Sequence, residues 1–371
     1  MKRTKILYIV SSFMKCGPIN MLYTLVSGLD SDEFEIHAVT LKLEPSNSRI
    51  QEFEKLGVIV HPVSGKSSHL LFGLCKSIQR VVDEIKPDVV HSHGPWADYY
   101  LSKLKVSSSV MNIHNKLAGD YIPLYGPIVG RITTIMDARA MRTADINISV
   151  SHSVAKTALK QYGIKSGVIY NGVDIDKYYP CDYEEANKIR EQFNMNKDSY
   201  VFLHIGNLIS RKRPIFLASA FVEAMKFRTD IDLYFLGDGP LLEECKSKFG
   251  MYSNIHFEGN VNAVDLYMKA SDAMVSATIS DGLSMATLEG LACGLKSLMS
   301  DIDVHREIKQ NIIIDPDDFI ICNSTKKDYA DNFIKLANSK RENNSVPKGI
   351  LSGENMSSKY AALYKKLAAG Y

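Results

Sequence analysis

The residues with the clearest chemical capacity lie between Ser276 and Gly294, in the stretch SATISDGLSMATLEGLACG. Asp281 and Gly282 stand in a loop after an apolar strand candidate, and a helix is predicted from Ser284 to Ala292. A helix N-terminus offers backbone N–H groups and a partial positive charge, which suits an anion. Gly282 lets a phosphate approach the backbone closely, and Glu289 follows about a turn and a half into the helix. This combination indicates a nucleotide-sugar site.

The same spacing has a plainer interpretation. An aspartate in a turn followed by an exposed helical glutamate, with no ligand, would have the same spacing. The spacing by itself does not decide between this interpretation and a nucleotide-sugar site.

The elements that must position these residues follow from an alternation of short apolar runs with longer mixed segments. In the first half, strands are predicted at 6–10, 34–41, 58–60, 89–90, 110–113 and 146–149. Strands separated by helices predict a parallel sheet covered on both faces, with ligands beyond the carboxyl ends of the strands. His91, His93 and His114 all fall at such ends.

A second alternation predicts strands at 200–205, 233–236, 255–257, 273–276, 296–299 and 312–314. An Asn-Gly turn at 171–172 and a charged stretch at 177–197 separate the two series. The sequence therefore predicts an N-terminal domain over 1–175, a C-terminal domain over 176–355 and a terminal helix over 356–371. Tyr360, Leu363, Tyr364 and Leu367 share one face of that helix, which predicts that it docks onto a domain.

Composition excludes several classes of protein. With 371 residues, 44 Lys and Arg against 42 Asp and Glu, and 45% apolar residues, the chain fits two globular domains and lacks the basic excess of an obligate nucleic-acid binder. Residues 1–170 carry 20 basic and 14 acidic side chains, so the first half is basic. No run approaches the roughly 20 apolar residues of a membrane span. The six cysteines are scattered, so neither a metal site nor a disulfide framework is expected.

The motifs, taken in order, resemble the family 4 retaining glycosyltransferases of the GT-B architecture. Asp281 and Glu289 have the spacing of the family's paired glutamates, and Ala-Cys-Gly follows at 292–294. Further matching segments are the glycine loop at 16–18, Val-His-Ser-His at 90–93, Ile-His at 113–114, Ser-Val-Ser at 149–151, Asn-Gly-Val-Asp at 171–174, the loop from Gly206 to Lys212, and Gly-Asp-Gly-Pro at 237–240. The resemblance implies two Rossmann-like domains with parallel sheets facing an interdomain cleft, and a C-terminal helix that docks back on the N-terminal domain.

The resemblance also implies roles for particular residues. Lys212, Asp281 and His114 would be catalytic: Lys212 would neutralise the departing diphosphate, Asp281 would hold donor-sugar hydroxyls, and His114 would line the cleft beside the sugar. Glu289 would bind the ribose hydroxyls. The remaining donor-binding positions implied are Gly17, Asn207, Gly282, and the backbone of Leu283, Ser284 and Met285.

Three departures from the family pattern stand out. Asn207 replaces the usual arginine, so one positive charge for the phosphates is missing, and Arg211 or Arg213 is a candidate to compensate. Asp281 is one methylene shorter than the usual glutamate, which could alter donor preference. Lys296 replaces a proline, which we interpret as a surface change without catalytic meaning.

The acceptor side is marked by apolar, aromatic and basic residues between 116 and 142. His93, Tyr121, Tyr125 and Arg131 are the acceptor-site candidates. The segment predicts either contact with a lipid-linked acceptor and an anionic bilayer, or a packed helix with a solvated basic face.

The resemblance thus implies a metal-independent hexosyltransferase without a cofactor. It would move a hexose or N-acetylhexosamine from a nucleotide-diphosphate sugar, UDP favoured over GDP, to a hydroxyl of a glycan or polyprenyl-diphosphate-linked acceptor. The expected setting is O-antigen or capsule assembly, in the cytoplasm with contact to the inner membrane surface. Two alternatives stay open: a GT-B nucleotide-sugar 2-epimerase, and a non-catalytic nucleotide-sugar-binding subunit.

Overall fold

A computed structural model describes residues 2–63, 71–313, 315–339 and 348–370. The chain divides into two compact units, one formed by Met1–Gly172 together with Ser352–Tyr371 and the other by Val173–Leu351. The boundary after Gly172 lies three residues before the predicted limit at 175. The boundary after Leu351 precedes the terminal helix, which begins at Gly353 and belongs to the first unit.

The first unit contains a parallel sheet that has seven strands within the described residues, in the order β3-β2-β1-β4-β5-β6-β7. The strands are β1 (Thr4–Val10), β2 (Phe34–Thr40), β3 (Ile59–Pro62), β4 (Val89–His93), β5 (Ser109–Ile113), β6 (Ile146–Ser149) and β7 (Gly167–Val168). Its helices are α1 (Gly17–Ser27), α2 (Ile50–Lys55), α3 (Leu71–Ile85), α4 (Pro95–Leu101), α5 (Ala118–Tyr125), α6 (Pro127–Met141), α7 (His152–Tyr162) and α16 (Gly353–Ala368).

The second unit repeats this design with six described strands, in the order β10-β9-β8-β11-β12-β13. The strands are β8 (Tyr200–Ile205), β9 (Ile231–Leu236), β10 (Ile255–Gly259), β11 (Ala273–Ser276), β12 (Lys296–Ser300) and β13 (Phe319–Cys322). The helices are α8 (Tyr183–Gln192), α9 (Pro214–Met225), α10 (Leu242–Phe249), α11 (Val264–Ala270), α12 (Met285–Ala292), α13 (Asp303–Asn311), α14 (Lys326–Ala337) and α15 (Lys348–Leu351).

Both sheets have the strand order of a Rossmann fold. Successive strands are added toward one edge from the first strand and toward the opposite edge from the fourth, so the order of the strands reverses between these two. Ligands bind such sheets beyond the carboxyl ends of the strands at this switch point. The loops that follow β1 and β4 flank it in the first unit, and the loops that follow β8 and β11 flank it in the second. The predicted fold class, two Rossmann-like domains with parallel sheets, is therefore confirmed.

Local sequence explains where several elements begin and end. Ser151 caps α7 by accepting a hydrogen bond from the Val154 N–H, as its position before the helix predicts, and Gly163 ends the helix in a left-handed conformation. The central strand β1 is apolar on both faces because helices cover both sides of the sheet, and Ile6 to Val10 are buried.

The strand predicted at 312–314 is wrong over the described residues 312–313. Ile312 donates its N–H to the Ile308 carbonyl, 2.9 Å away, so it closes the last turn of α13. Ile314 lies outside the described residues. The strand that completes the sheet comes later, at β13. A run of three isoleucines has strand propensity, but burial in the tertiary structure decides which secondary structure it adopts. Ile312 is buried at the end of α13.

The terminal helix α16 docks on the first unit through a buried polar network. The Tyr364 hydroxyl lies 3.0 Å from the Tyr8 hydroxyl and 2.7 Å from His91 Nδ1. The Tyr360 hydroxyl donates to Asn112 Oδ1 at 2.8 Å, and His91 Nε2 lies 3.1 Å from the same oxygen. Both tyrosines are fully buried, so α16 completes the core of the first unit.

Candidate functional site

The candidate donor site lies in the second unit, where the loops after β8 and β11 meet. The Ile279 N–H donates to the Arg211 carbonyl at 3.0 Å, and the Arg211 guanidinium donates to the Ser280 carbonyl. Thr278 Oγ1 also donates to the Arg211 carbonyl. These bonds hold the two loops against each other at the switch point of the sheet, so side chains from both loops reach one place.

Lys212 and Asp281 form an ion pair between these loops, with Lys212 Nζ 2.7 Å from Asp281 Oδ2. The two side chains are only 13% and 16% exposed. Asp281 Oδ1 accepts the Gly282 N–H at 3.0 Å. Burial acts to raise the pKa of Asp281, but the positive charges of Lys212 and Arg211 outweigh it and hold that pKa below its usual value. Asp281 is therefore a carboxylate with both oxygens hydrogen-bonded.

Glycines let a neighbouring turn pack under the loop that carries Lys212. Gly237 has φ +135°, and a Cβ there would lie 2.3 Å from the Gly206 carbonyl oxygen. A Cβ at Gly239, which has φ +154°, would lie 2.7 Å from the Leu208 carbonyl oxygen. Only glycine allows such an approach at positive φ, which explains why these residue types stand in the predicted Gly-Asp-Gly-Pro turn.

The arginine candidates for replacing the charge missing at Asn207 are both engaged within the second unit. Arg211 holds the Ser280 carbonyl, and the Arg213 guanidinium stacks 3.8 Å from the centre of the Phe216 ring. Asn207 itself is exposed. Lys212 thus carries the positive charge nearest to Asp281.

Helix α12 begins directly after this pair. Ser284 is its N-cap and accepts the Thr287 N–H, and the Leu288 N–H makes the first bond within the helix, to the Ser284 carbonyl. The N–H groups of Met285 and Ala286 precede that bond and have no acceptor within the helix. Leu283, Met285 and Glu289 are buried, with Glu289 only 7% exposed. The predicted helix start and its glutamate thus lie one after the other beyond β11.

In the first unit, the structure brings together His93 at the end of β4 and His114 after β5. His93 Nδ1 lies 2.9 Å from His114 Nε2. Burial lowers the pKa of His114 to about 4 and that of His93 well below its usual value. Both rings are therefore neutral at pH 7. Gly17 begins α1, and a Cβ there would meet no atom within 4 Å, so the fold itself does not demand glycine at this position.

The other acceptor candidates separate into a buried and an exposed set. Tyr121 is buried, and its hydroxyl donates to Asp137 Oδ2 at 2.6 Å, so that hydroxyl is used within the fold. Tyr125 and Arg131 are exposed, on α5 and α6 respectively. Of these three residues, Tyr125 and Arg131 are therefore the ones that a ligand could contact.

A pair of buried acids in the first unit was missed by the sequence reasoning. Asp98 on α4 and Asp137 on α6 are fully buried, and Asp98 Oδ2 and Asp137 Oδ1 have no hydrogen-bond donor among the described residues. Ser92 Oγ donates to Asp98 Oδ1 at 2.5 Å, and Tyr121 donates to Asp137. Burial raises the pKa of both acids, and the negative charge of Asp137 raises the pKa of Asp98 further. We conclude that the pair shares a proton; nothing in the sequence, where 39 positions separate the two acids, signals this contact.

Two sequence profiles match successive parts of the chain. That of the Glycosyltransferase Family 4 matches residues 17–177, and that of the Glycosyl transferases group 1 matches residues 199–339. Each profile covers less than half of the chain, and together they show that the chain resembles glycosyltransferases over most of its length. This confirms the resemblance inferred from the motifs.

The individual relatives of this chain are distant. An uncharacterized glycosyltransferase of Methanocaldococcus jannaschii is 24% identical over 60% of the chain and 58% of its own length. The UDP-Gal:alpha-D-GlcNAc-diphosphoundecaprenol alpha-1,3-galactosyltransferase of Escherichia coli is 27% identical over 40% of either protein. The chain therefore spans about half the length of these curated relatives. The crystal structure of HepE from Anabaena with UDP-glucose superposes with a TM-score of 0.74 at 16% identity, over 99% of this chain and 98% of HepE.

Among the described residues, no group of three or more His, Cys, Asp or Glu side chains is arranged to hold a metal ion. No helix in the same part of the chain is both long and apolar enough to cross a bilayer.

Proposed function

We propose that this protein is a retaining glycosyltransferase of family 4 that transfers a hexose or N-acetylhexosamine from a nucleotide-diphosphate sugar to a hydroxyl group. The observation that carries the proposal is the juxtaposition of the Lys212–Asp281 pair with the N-terminus of α12 at the switch point of the second sheet. A cation, a row of N–H groups and two carboxylates suit a ligand that has both phosphates and sugar hydroxyls. UDP is favoured over GDP, because the galactosyltransferase relative and the HepE complex both carry UDP-sugar names.

Each group in the site has a role in holding the donor. Met285 and Ala286 would direct N–H groups at the diphosphate, with Lys212 supplying the full positive charge. Glu289, on the same helix, would accept hydrogen bonds from the ribose hydroxyls. Asp281 would accept from hydroxyls of the transferred sugar, which requires that the sugar replace one of its present donors.

The proposed reaction uses the groups of this site. We infer attack on the same face of the sugar: the bond from the anomeric carbon to the phosphate oxygen breaks, and a bond from that carbon to the acceptor oxygen forms. The acceptor proton passes to the departing phosphate oxygen. Lys212 and the α12 N–H groups stabilise the negative charge that develops there, which is the largest contribution to be expected from a preorganised site.

Donor binding and transfer can be tested with Glu289→Gln. This variant keeps the size of the side chain but weakens the hydrogen bonds from the ribose hydroxyls, which a carboxylate accepts more strongly than an amide. We expect UDP-sugars to raise the melting temperature of the wild type. In Glu289→Gln the KM for the donor should rise about tenfold, with a smaller change in kcat, measured by nucleotide release and by labelled product.

The same measurements separate the alternatives. Donor epimerised in the absence of any acceptor would establish the 2-epimerase. Donor binding with neither transfer nor hydrolysis would establish a non-catalytic binding subunit. If no nucleotide sugar shifts the melting temperature, the proposed donor site itself is contradicted.

The acceptor is proposed to be a glycan or polyprenyl-diphosphate-linked lipid of O-antigen or capsule assembly, used in the cytoplasm at the inner membrane surface. The support is a surface on α5, α6 and the residue that follows α6. This surface, named here the hairpin face, is formed by Leu124, Tyr125, Ile128, Val129, Ile132 and Ile135 with Arg131, Arg139 and Arg142. Ile128, Ile132 and Ile135 recur at helical spacing and are exposed, Ile128 by 73%. Asp120 and Asp137, the acidic residues of this segment, are both buried.

Because the hairpin face is apolar and basic, it suits an anionic lipid surface. We expect the double variant Ile128→Glu, Ile132→Glu to lose most of its co-sedimentation with phosphatidylglycerol vesicles. Arg131→Gln should weaken binding about fivefold at low salt, since one basic residue near such a surface contributes about 1 kcal/mol. Leu43→Glu, at an apolar residue that is 79% exposed elsewhere in the first unit, is the control. Equal binding by all variants would contradict the membrane contact.

A further inference from the structure

The contact between His93 and His114 constrains which ring nitrogen of each histidine carries a proton. His93 is 5% exposed, and its ring lies against those of His91 and Tyr8, with centroids 4.4 and 5.9 Å apart. Its Nδ1 faces His114 Nε2. Its other ring nitrogen, Nε2, is buried and has no hydrogen-bond partner among the described residues. His114 is half-buried, and its contact with His93 uses Nε2, which leaves Nδ1 as the ring nitrogen that another molecule could meet.

Two neutral imidazoles can share one hydrogen bond in only two ways. If His114 Nε2–H donated, His93 would have to carry its proton on Nε2, where it would be a buried N–H without an acceptor. If His93 Nδ1–H donates, the buried His93 Nε2 holds only a lone pair. Orphaned buried N–H groups are the rarer case in proteins, so the second arrangement is favoured. His114 Nε2 then accepts, and its proton resides on Nδ1.

We propose that His93 is a positioning residue that fixes His114 in the tautomer protonated at Nδ1, so that His114 presents a hydrogen-bond donor to a hydroxyl oxygen of the substrate. The substrate contact rests on the proposed function, whereas the tautomer does not. A His114 ring fixed in this way donates a hydrogen bond and does not take a proton from the acceptor. This agrees with proton transfer to the departing phosphate.

The tautomer can be measured without any substrate. In protein labelled with ¹⁵N-histidine, we expect His114 Nδ1 and His93 Nδ1 to show directly bonded protons at pH 7. His93→Asn should preserve the His114 signal, because the Asn side-chain amide can place an N–H close to the position of His93 Nδ1. His93→Leu removes the donor and should shift His114 toward protonation at Nε2. His61→Leu, at a half-buried histidine on β3, is the control that should leave the His114 signal unchanged.

Transfer kinetics supply the second readout. We expect His93→Leu to lower kcat/KM about tenfold, as loss of one oriented hydrogen bond implies, and His93→Asn to recover most of it. A proton found on His114 Nε2 in the wild type overturns the tautomer assignment whether or not the protein transfers sugar. The expected tautomer combined with wild-type kinetics in His93→Leu overturns the positioning role. Absence of transfer in every variant, with the tautomers as expected, would instead count against the proposed function.

Discussion

Replacing Lys212 with alanine is expected to lower kcat for sugar transfer by about 10²–10³-fold, the usual cost of removing one preorganised group that stabilises developing charge. Lys212 is the cation paired with Asp281 at 2.7 Å, and the neighbouring arginines are held by Ser280 and Phe216. No other described cation in these two loops is placed to replace it. Transfer measured at saturating donor tests the prediction.

The same substitution leaves the largely buried Asp281 without its closest counter-charge. We expect the free energy of unfolding of the second unit to fall by about 1–3 kcal/mol, and the pKa of Asp281 to rise because burial then acts with less opposition. Adding Asp281→Asn should restore stability but not transfer, which separates the two effects. Lys248→Ala breaks an exposed pair with Glu244 and is the matched control that should change neither property. Undiminished kcat in Lys212→Ala would contradict the assignment.

The second large effect concerns the pH dependence of stability in the first unit. Burial raises the pKa of Asp137 to about 6 and that of Asp98 well above its ordinary value of 3.8. In the folded unit, Asp98 and Asp137 therefore keep protons that the same side chains release above about pH 4 in the unfolded chain. Since the folded state binds more protons, stability is full below pH 4 and decreases as pH rises, by about 1.4 kcal/mol per pH unit for each retained proton.

Asp98→Asn should abolish most of this slope. Its amide group takes the place of the shared proton by donating to Asp137, and its carbonyl can still accept from Ser92. We expect the variant to be more stable than the wild type at pH 8. Urea unfolding followed through Trp96, the single tryptophan of the chain and a neighbour of Asp98 on α4, reports on this unit. Asp83→Asn, at an exposed acid on α3, should leave the slope unchanged. Parallel slopes for wild type and Asp98→Asn would show that the pair holds no extra proton.

The sequence allowed the two sheets and the donor loops to be predicted because these depend on local signals. Apolar runs mark the strands, and the residues after β8 and β11 must meet at the switch point once the strand order is that of a Rossmann fold. The contacts of His93 and Asp98 could not be foreseen. The first depends on the pairing of β4 with β5, which sets His93 beside Asn112, and the second on the packing of α4 against α6. Strand β13 was misplaced because isoleucine-rich segments suit either state until burial decides.

The docking of α16 on the first sheet has a consequence for how the protein is made. The ribosome synthesises residues 1–172 first, then the whole second unit, and only afterwards α16. Tyr360 and Tyr364 of this helix form hydrogen bonds with Asn112 and His91 in the core of the first unit. The second unit is continuous in sequence and can fold as soon as it emerges. The first unit must wait with an open core until synthesis nears residue 368, so a ribosome that stalls after residue 351 leaves one finished unit attached to one exposed to aggregation and proteolysis.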